Sequence, residues 1–389
     1  MSQFRIVITA VASVIAISLS ASIVYSQPAE HHVLRMDQAR RDDWQSRWEQ
    51  YLLKSARNRY AQKEMGEEVG WLIAPFLAGF YNGYLATGNT KWADMLMEWA
   101  DSWIVRAVTE PDGYRGWPKV GASGTSVDDL DRLNADSLLG EAMALRPIVG
   151  MSKEIINTPV LKEKYGAKAN SYIELSDEVF RKWDSRGAWR HTDNGGIITI
   201  VVPFGIDQHT RTWTSGYETR DARGLGFSHQ NNKANIVASW LLDMFDATRN
   251  RNYKERAEKW FWLMKSRMVL TSSNTYRIWN YWQPAGAWDY RASGLPKHWI
   301  GVHPNPAYYD IDAEAIVAAY KHGIVFTKDE LGHLLATSLS EKRYWTALLP
   351  YDVESQRRFQ ANHKPDSWGG LVATPWYLAL QQRSVGVSR

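Results

Sequence analysis

The chain has 389 residues, 46 Lys plus Arg against 42 Asp plus Glu, and no cysteine. A formal charge of +4 with no long Lys/Arg run argues against nucleic acid as the main partner, and the cysteine count excludes a disulfide scaffold. Stability must come from a core, and a chain of this length can bury a large one.

At the N-terminus, Arg5 precedes the apolar run IVITAVASVIAISLSASIV, and VYS before Gln27 offers small-residue positions for cleavage. Residues 1–26 carry the pattern of a secretory signal peptide. A retained anchor is the alternative, because the run approaches bilayer-spanning length. No other segment is as long and apolar. Residues 27–389 are therefore expected to form one exported domain, periplasmic or secreted, with no stable membrane association after cleavage.

Helical periodicity dominates the rest of the chain. Residues 36–60 place Trp44, Trp48 and Leu52 on one face. Residues 67–87 are apolar enough for a buried helix, and 90–107 are amphipathic with Thr90 as a candidate cap. Further helices are expected at 134–149, 158–184, 229–248, 251–267, 311–322, 328–339 and 370–382. Strand-like alternation is confined to 196–204 and short pieces around 274–282. Long Gly/Pro/Trp-rich loops fill 109–133, 184–228 and 270–310, and loops of that length usually carry function.

ATGNTKWADMLMEWAD (86–101) resembles ATRNRNYKERAEKWFW (247–262), with aromatics seven apart in each: Trp92 and Trp99, then Tyr253 and Trp260. NSYIELSDEVFRKW (170–183) is a weaker third copy. Repeated helical hairpins close into an all-α (α/α) barrel or toroid, with the long loops forming a cleft at one end. An open solenoid is the alternative.

The chain holds 20 Trp and 19 Tyr. Trp117, Trp189, Trp213, Trp279, Trp282, Trp288, Trp299 and Trp368 fall in turn-rich stretches, where flat indole faces suit sugar rings. Trp92, Trp99, Trp240 and Trp260 fit helix packing instead.

Two clusters carry chemistry. The first, YETRDARGLGFSHQNNKAN (217–235), gathers Glu218, Arg220, Asp221, Arg223, His229, Gln230, Asn231 and Asn232 where a loop feeds a helix. Backbone N–H groups and the helix dipole favour an anion there. The plainer reading is that Ser228 or Asn231 caps the helix and the charges are solvated. The second, residues 276–314, interleaves Arg277, Asn280, Tyr281, Asp289, Tyr290, Arg291, His298, His303, Asn305, Tyr308, Tyr309, Asp310 and Asp312 with four Trp. No period organises it, as in a cleft lining; the alternative is a surface loop stitched down by aromatics. No metal pattern, GxSxG, phosphate loop or dinucleotide fingerprint occurs, so neither metal nor cofactor is expected.

Acid/base chemistry on sugars remains. A glycosidase needs two carboxylates, for which Glu218 or Asp221 with Asp310 or Asp312 are candidates. A lyase acting on a uronic acid needs groups that neutralise the C5 carboxylate and a Tyr or His that moves protons. The supply of amide, His, Arg and Tyr matches the lyase better. A non-catalytic glycan-binding protein is the third possibility.

HQNN at an inner-helix start, the toroid pattern and the Tyr/Arg/His-rich loop resemble the (α/α)-toroid polysaccharide lyases. The run WNYWQPAGAWDY…KHWIGVHPNPAYYDIDAEAI is most similar to polysaccharide lyase family 38, which acts on glucuronan and alginate. The resemblance spans residues 65–382, although only these two stretches are specific, and the order HQNN departs from the Asn-Asn-His of the alginate lyases. It implies β-elimination on an acidic polysaccharide, with His229, Asn231 and Asn232 as neutralisers and a Tyr as acid and base. Tyr281, Tyr290 and Tyr308 compete for that role, the first two lying near Arg277 and Arg291. Glu218, Arg223, Trp213, Trp282, Trp288, Arg291, His298, His303 and Tyr308 are the expected substrate contacts.

Overall fold

A computed structural model describes residues 33–56, 68–118, 133–207, 210–215 and 226–386. The helices are α1 (Gln38–Ala56), α2 (Ala74–Thr87, preceded by the π-turn Val69–Ile73), α3 (Lys91–Ile104), α4 (Leu138–Asn157), α5 (Pro159–Ser185) and α6 (Asn231–Thr248). They continue with α7 (Arg251–Ser266), α8 (Ala307–Lys321), α9 (Lys328–Ser340), α10 (Val353–Asn362) and α11 (Gly370–Gly386). The order of packing makes a ring. Helix α11 packs on α2, α2 on α4, α4 on α6 and α6 on α8, and a 3-10 turn, Thr346–Tyr351, packs on α8. Each inner helix has an outer partner: α1 on α11, α3 on α2, α5 on α4, α7 on α6 and α9 on α8. This is the (α/α) toroid expected from the sequence.

Connection lengths alternate. The turns from inner to outer helix are short: 88–90, 158, 249–250 and 322–327. The returns from outer to inner helix are long: 105–137, 186–230 and 267–306. The described ends of these returns therefore lie where the inner helices begin. The positive ends of those helix dipoles point to the same place.

The repeat corresponds to equivalent corners, α2 into α3 and α6 into α7. Trp92, Trp99, Tyr253 and Trp260 are all buried. The third copy lies inside α5 and starts no hairpin. Thr90 does not cap α3 with its side chain; the Asn89 carboxamide accepts from Lys91 N instead, at 3.0 Å.

Three buried loop tryptophans have partners for their N–H groups, whereas Trp345 Nε1 is buried without one. Trp117 donates to Trp103 O at 3.0 Å, Trp279 to Asp312 at 2.8 Å and Trp282 to Ser228 O at 2.7 Å. A wet end to the indole is thus not required for burial.

Short strands brace the loops: β1 (Val108–Thr109), β2 (Arg115–Gly116), β3 (Leu133–Ala135), β4 (Trp189–Thr192), β5 (Gly195–Ile198), β6 (Phe204–Asp207) and β7 (Trp213–Ser215). They pair antiparallel as β1–β2, β3–β6–β7 and β4–β5. The strand expected over 196–204 is split, because β5 and β6 belong to different sheets. At the tip of β4–β5, Gly195 has φ +142°, and a Cβ there would stand 2.2 Å from Lys259 O. Gly195→Ala is expected to destabilise the fold by more than about 1 kcal/mol, measured by urea unfolding.

Candidate active site at the start of helix α6

Helix α6 enters the ring from a segment pinned on every side. The buried Asp289 carboxylate accepts from Ser228 N at 2.6 Å, Ser228 Oγ at 2.8 Å and Ala285 N at 2.6 Å. Trp288 donates its indole N–H to Ser228 Oγ at 3.1 Å. His229 N donates to Ile198 O at 2.8 Å. Ser228 therefore braces the loop, and Gln230, in the cap position, makes no side-chain capping bond.

The four polar residues HQNN divide into committed and uncommitted groups. Asn231 is committed: its N donates to Tyr281 O at 3.0 Å, its Nδ2 to Asn280 O at 2.9 Å, and its Oδ1 accepts from Arg267 Nη1 at 3.0 Å. Arg267 also donates to Gln283 O at 3.1 Å. Asn231 is thus the joint that fastens the 267–306 loop to α6. Asn232 is 1% exposed, yet neither its Oδ1 nor its Nδ2 makes a hydrogen bond. His229 Nδ1 and Gln230 Oε1 are buried and equally unbonded. Leaving a buried polar group unmatched costs about 1–3 kcal/mol, so such groups call for a functional account.

His229 is held neutral. Burial, with help from the Lys233 ammonium, pushes its pKa down to about 3. It offers hydrogen bonding rather than positive charge. With the folded pKa below the unfolded value of about 6.5, its contribution to stability is present above pH 6.5 and is lost as pH falls towards 3. Nitrogen-15 NMR of the imidazole is expected to show no protonation down to pH 5.

An aromatic group stands beside this joint. Tyr281 stacks on Trp299 (centroids 5.6 Å, 17°) and on Tyr308 (5.4 Å, 24°), and meets His303 at 4.8 Å and His298 at 6.0 Å. His303 Nδ1 accepts from Asn305 N at 3.0 Å, which leaves Nε2 to carry the proton in the neutral ring. His298 Nδ1 faces Trp299 O at 3.1 Å, so that nitrogen is the donor.

Of the remaining candidates, Trp282 and Trp288 both bond Ser228, beside His229. Tyr290 is 43% exposed beside the turn closed by Arg291 N to Leu295 O. Arg291 is half-buried, and its Nε makes no hydrogen bond. Arg277 is exposed and paired through its backbone to Val269, and the adjacent Tyr276 is bonded to Thr337 of outer helix α9. Trp282 is fully buried and supports the loop from beneath. Trp288 lies under the Arg190 guanidinium at 5.0 Å, and Trp213 is half-buried on β7. Glu218, Asp221 and Arg223 lie outside the described residues.

The carboxylates are partly spoken for. Asp312 accepts from Asn235 Nδ2 at 2.7 Å and Trp279 Nε1 at 2.8 Å, and Asn235 in turn accepts from Trp260 at 2.7 Å. Burial raises Asp312 to about 7. Asp310 accepts from Thr346 N and Oγ1, both at 2.7 Å, and burial raises it to about 6. Arg267, whose pKa burial lowers to about 10, and Asp289 form a further charged pair that no short-range pattern signals. Their neighbours in the fold are distant in the chain. No group of three His, Asp or Glu suited to a metal ion occurs among the described residues.

Asn232, Ile236 and Asp243 share one face of α6, being four and seven residues apart. Ile236 and Asp243 line a half-open cavity of ≈ 540 Å³ between the inner helices.

No protein-family model matches the sequence, and no curated protein is found similar to it. Solved structures are similar. A glycoside hydrolase family 76 mannosidase, Bt3792 from Bacteroides thetaiotaomicron VPI-5482, has 13% identity and a TM-score of 0.51 over 89% of this chain and 100% of its own. A family 88 glycosyl hydrolase from Bacteroides vulgatus has 11% identity, TM-score 0.44, over 88% and 98%. A polysaccharide lyase, BACCELL_00875, has 10% identity, TM-score 0.36, over 90% and 98%. What the first likeness establishes is a shared fold.

Proposed function

We propose that the chain is an exported carbohydrate-active enzyme that cleaves a uronic-acid-containing polysaccharide, of glucuronan or alginate type, by β-elimination at the start of α6. The observation that carries this reading is Asn232, a buried carboxamide without a hydrogen bond at the positive end of a helix. Its N–H groups suit a sugar carboxylate that becomes more negative as the C5 proton leaves. Neutral His229 adds a second polar nitrogen. Tyr281, anchored to Asn231 through its backbone, is the nearest Tyr of the candidate set by direct bonding. In the reaction the C5–H bond breaks, its electrons form the C4–C5 double bond, the C4–O4 bond breaks, and the leaving oxygen takes a proton. Tyr281 supplies and receives these protons in the proposed scheme.

Hydrolysis is the second reading. It draws on Asp310, raised to about 6 at the cavity wall, a value suited to a general acid. Purified protein assayed on glucuronan and alginate separates the two, because only elimination creates a double bond conjugated to the carboxylate, with its ultraviolet absorbance. Asn232→Ala is expected to lower kcat by about 10²–10³ with little change in KM, whereas Asp310→Asn changes kcat by only a few-fold. New reducing ends without new absorbance, abolished by Asp310→Asn, would replace the lyase reading with the hydrolase.

A further inference from the structure

The charges in the central cavity do not match a uronate. Its lining carries one guanidinium, Arg146, and three carboxylates, Asp243, Asp310 and Glu314. Arg146 donates Nε to Asp243 Oδ2 at 3.1 Å and Nη2 to Glu314 Oε1 at 3.2 Å, so its charge is already answered from two sides. Burial would weaken the Arg146 cation, but Glu314 and Asp243 more than offset that and raise its pKa. The second oxygen of each of these carboxylates is not engaged by Arg146.

The walls are apolar and aromatic. Tyr81 is backed by Gly150, where a Cβ would stand 2.8 Å from the ring, and Trp376 faces the cavity from α11. Arg383, bonded to the Tyr81 hydroxyl, is not among the lining residues. Unbonded Asn232 shares the helix face of Ile236 and Asp243, at the end where the loops gather. A volume of ≈ 540 Å³ lies within the range of small-ligand sites.

We propose that this cavity is a saccharide subsite selective for a neutral, hydroxyl-rich sugar ring, so that the natural polymer carries a neutral residue beside the uronate that is cleaved. Carboxylate oxygens accept from sugar hydroxyls, the guanidinium donates to them, and Trp376 and Tyr81 cover the ring's apolar face. A sugar carboxylate entering the same space meets three like charges and one guanidinium already paired. The inference rests on reading the protein as an enzyme of polysaccharides.

Saturation-transfer NMR with the full-length mature protein tests it, using methyl glucoside, methyl mannoside and methyl glucuronide at pH 7.5. A neutral glycoside is expected to bind at least about tenfold tighter than the glucuronide. Ala78→Leu and Ala373→Leu, which fill the cavity without touching its charged groups, are expected to abolish that binding. Glu314→Gln, at a half-exposed carboxylate, is expected to narrow the preference by several-fold. Equal or tighter binding of the glucuronide overturns the proposal, as does neutral binding that survives both cavity-filling changes. Binding and elimination are separate readouts. Neutral-sugar binding with no double-bond product would defeat the lyase reading alone, and elimination without neutral-sugar binding would defeat this one alone.

Discussion

Tyr281→Phe is expected to lower kcat on the cleavable polymer by about 10²–10⁴, with KM nearly unchanged, which is the usual worth of general acid–base help. The phenylalanine ring keeps the stacking on Trp299 and Tyr308 and the packing on His303. It also keeps the Tyr281 backbone bonds to Asn231 and Gly301. Only the hydroxyl is lost, so a fall in kcat with an unchanged melting curve would locate proton transfer on that atom. Tyr290→Phe is expected to act weakly, because Tyr290 is 43% exposed. Tyr308→Phe is the informative control, since Tyr308 stacks directly on Tyr281. Full activity in Tyr281→Phe together with a collapse in Tyr308→Phe would transfer the role to Tyr308. Full activity in all three would remove tyrosine from the mechanism.

Most helices were legible because burial is periodic. Trp44, Trp48 and Leu52 recur every four residues on α1, and all three are buried. Helix α10 was not legible: VESQRRFQAN buries only Ser355 and Gln356 and has no apolar stripe. Helix α8 starts at Ala307, four residues before the sequence expectation, because the Asn305 side chain accepts from Ala307 N and Pro306 suits the entry. At the site, the sequence showed that HQNN opens a helix. It did not show which amide is free. That depends on Arg267, Asn280 and Tyr281, each 36 to 50 positions further along, and the short-range pattern carries no trace of them. Beside Arg277, the bond from Tyr276 N to Thr337 Oγ1 ties this segment to α9, a contact that the order of the chain does not show either.

The largest stability effect is expected at Lys182, beneath the end of the ring where the inner helices begin. Its Nζ is fully buried and donates to Arg115 O at 2.8 Å, Glu141 Oε1 at 2.6 Å and Asp136, with Glu110 at 3.9 Å. These acids belong to the 105–137 connection and the first turn of α4. Lys182, on α5, therefore fastens that loop end to the scaffold. Burial opposes ionisation of Asp136, and Lys182 and Arg186 overcome it, holding its carboxyl below the usual range. Glu110 and Glu141 are raised by burial and by Asp136. Lys182→Met keeps the length of the side chain and removes the charge, leaving several acids to Arg186 alone. Breaking a buried ion cluster in this way costs about 3–5 kcal/mol. The pH dependence comes from the shifts. Asp136, lowered, contributes stability above its unfolded pKa that is lost as pH falls through the folded one. Glu110 and Glu141, raised, contribute stability below their unfolded pKa that is lost as pH rises through their folded values. Without Lys182 the acids repel most when ionised, so the deficit should be larger at pH 8 than at pH 5. Urea unfolding of wild type and Lys182→Met at both values measures it. A deficit below about 1 kcal/mol, the scale of an exposed pair, or one equal at both pH values, would show that the cluster does not hold this end of the ring.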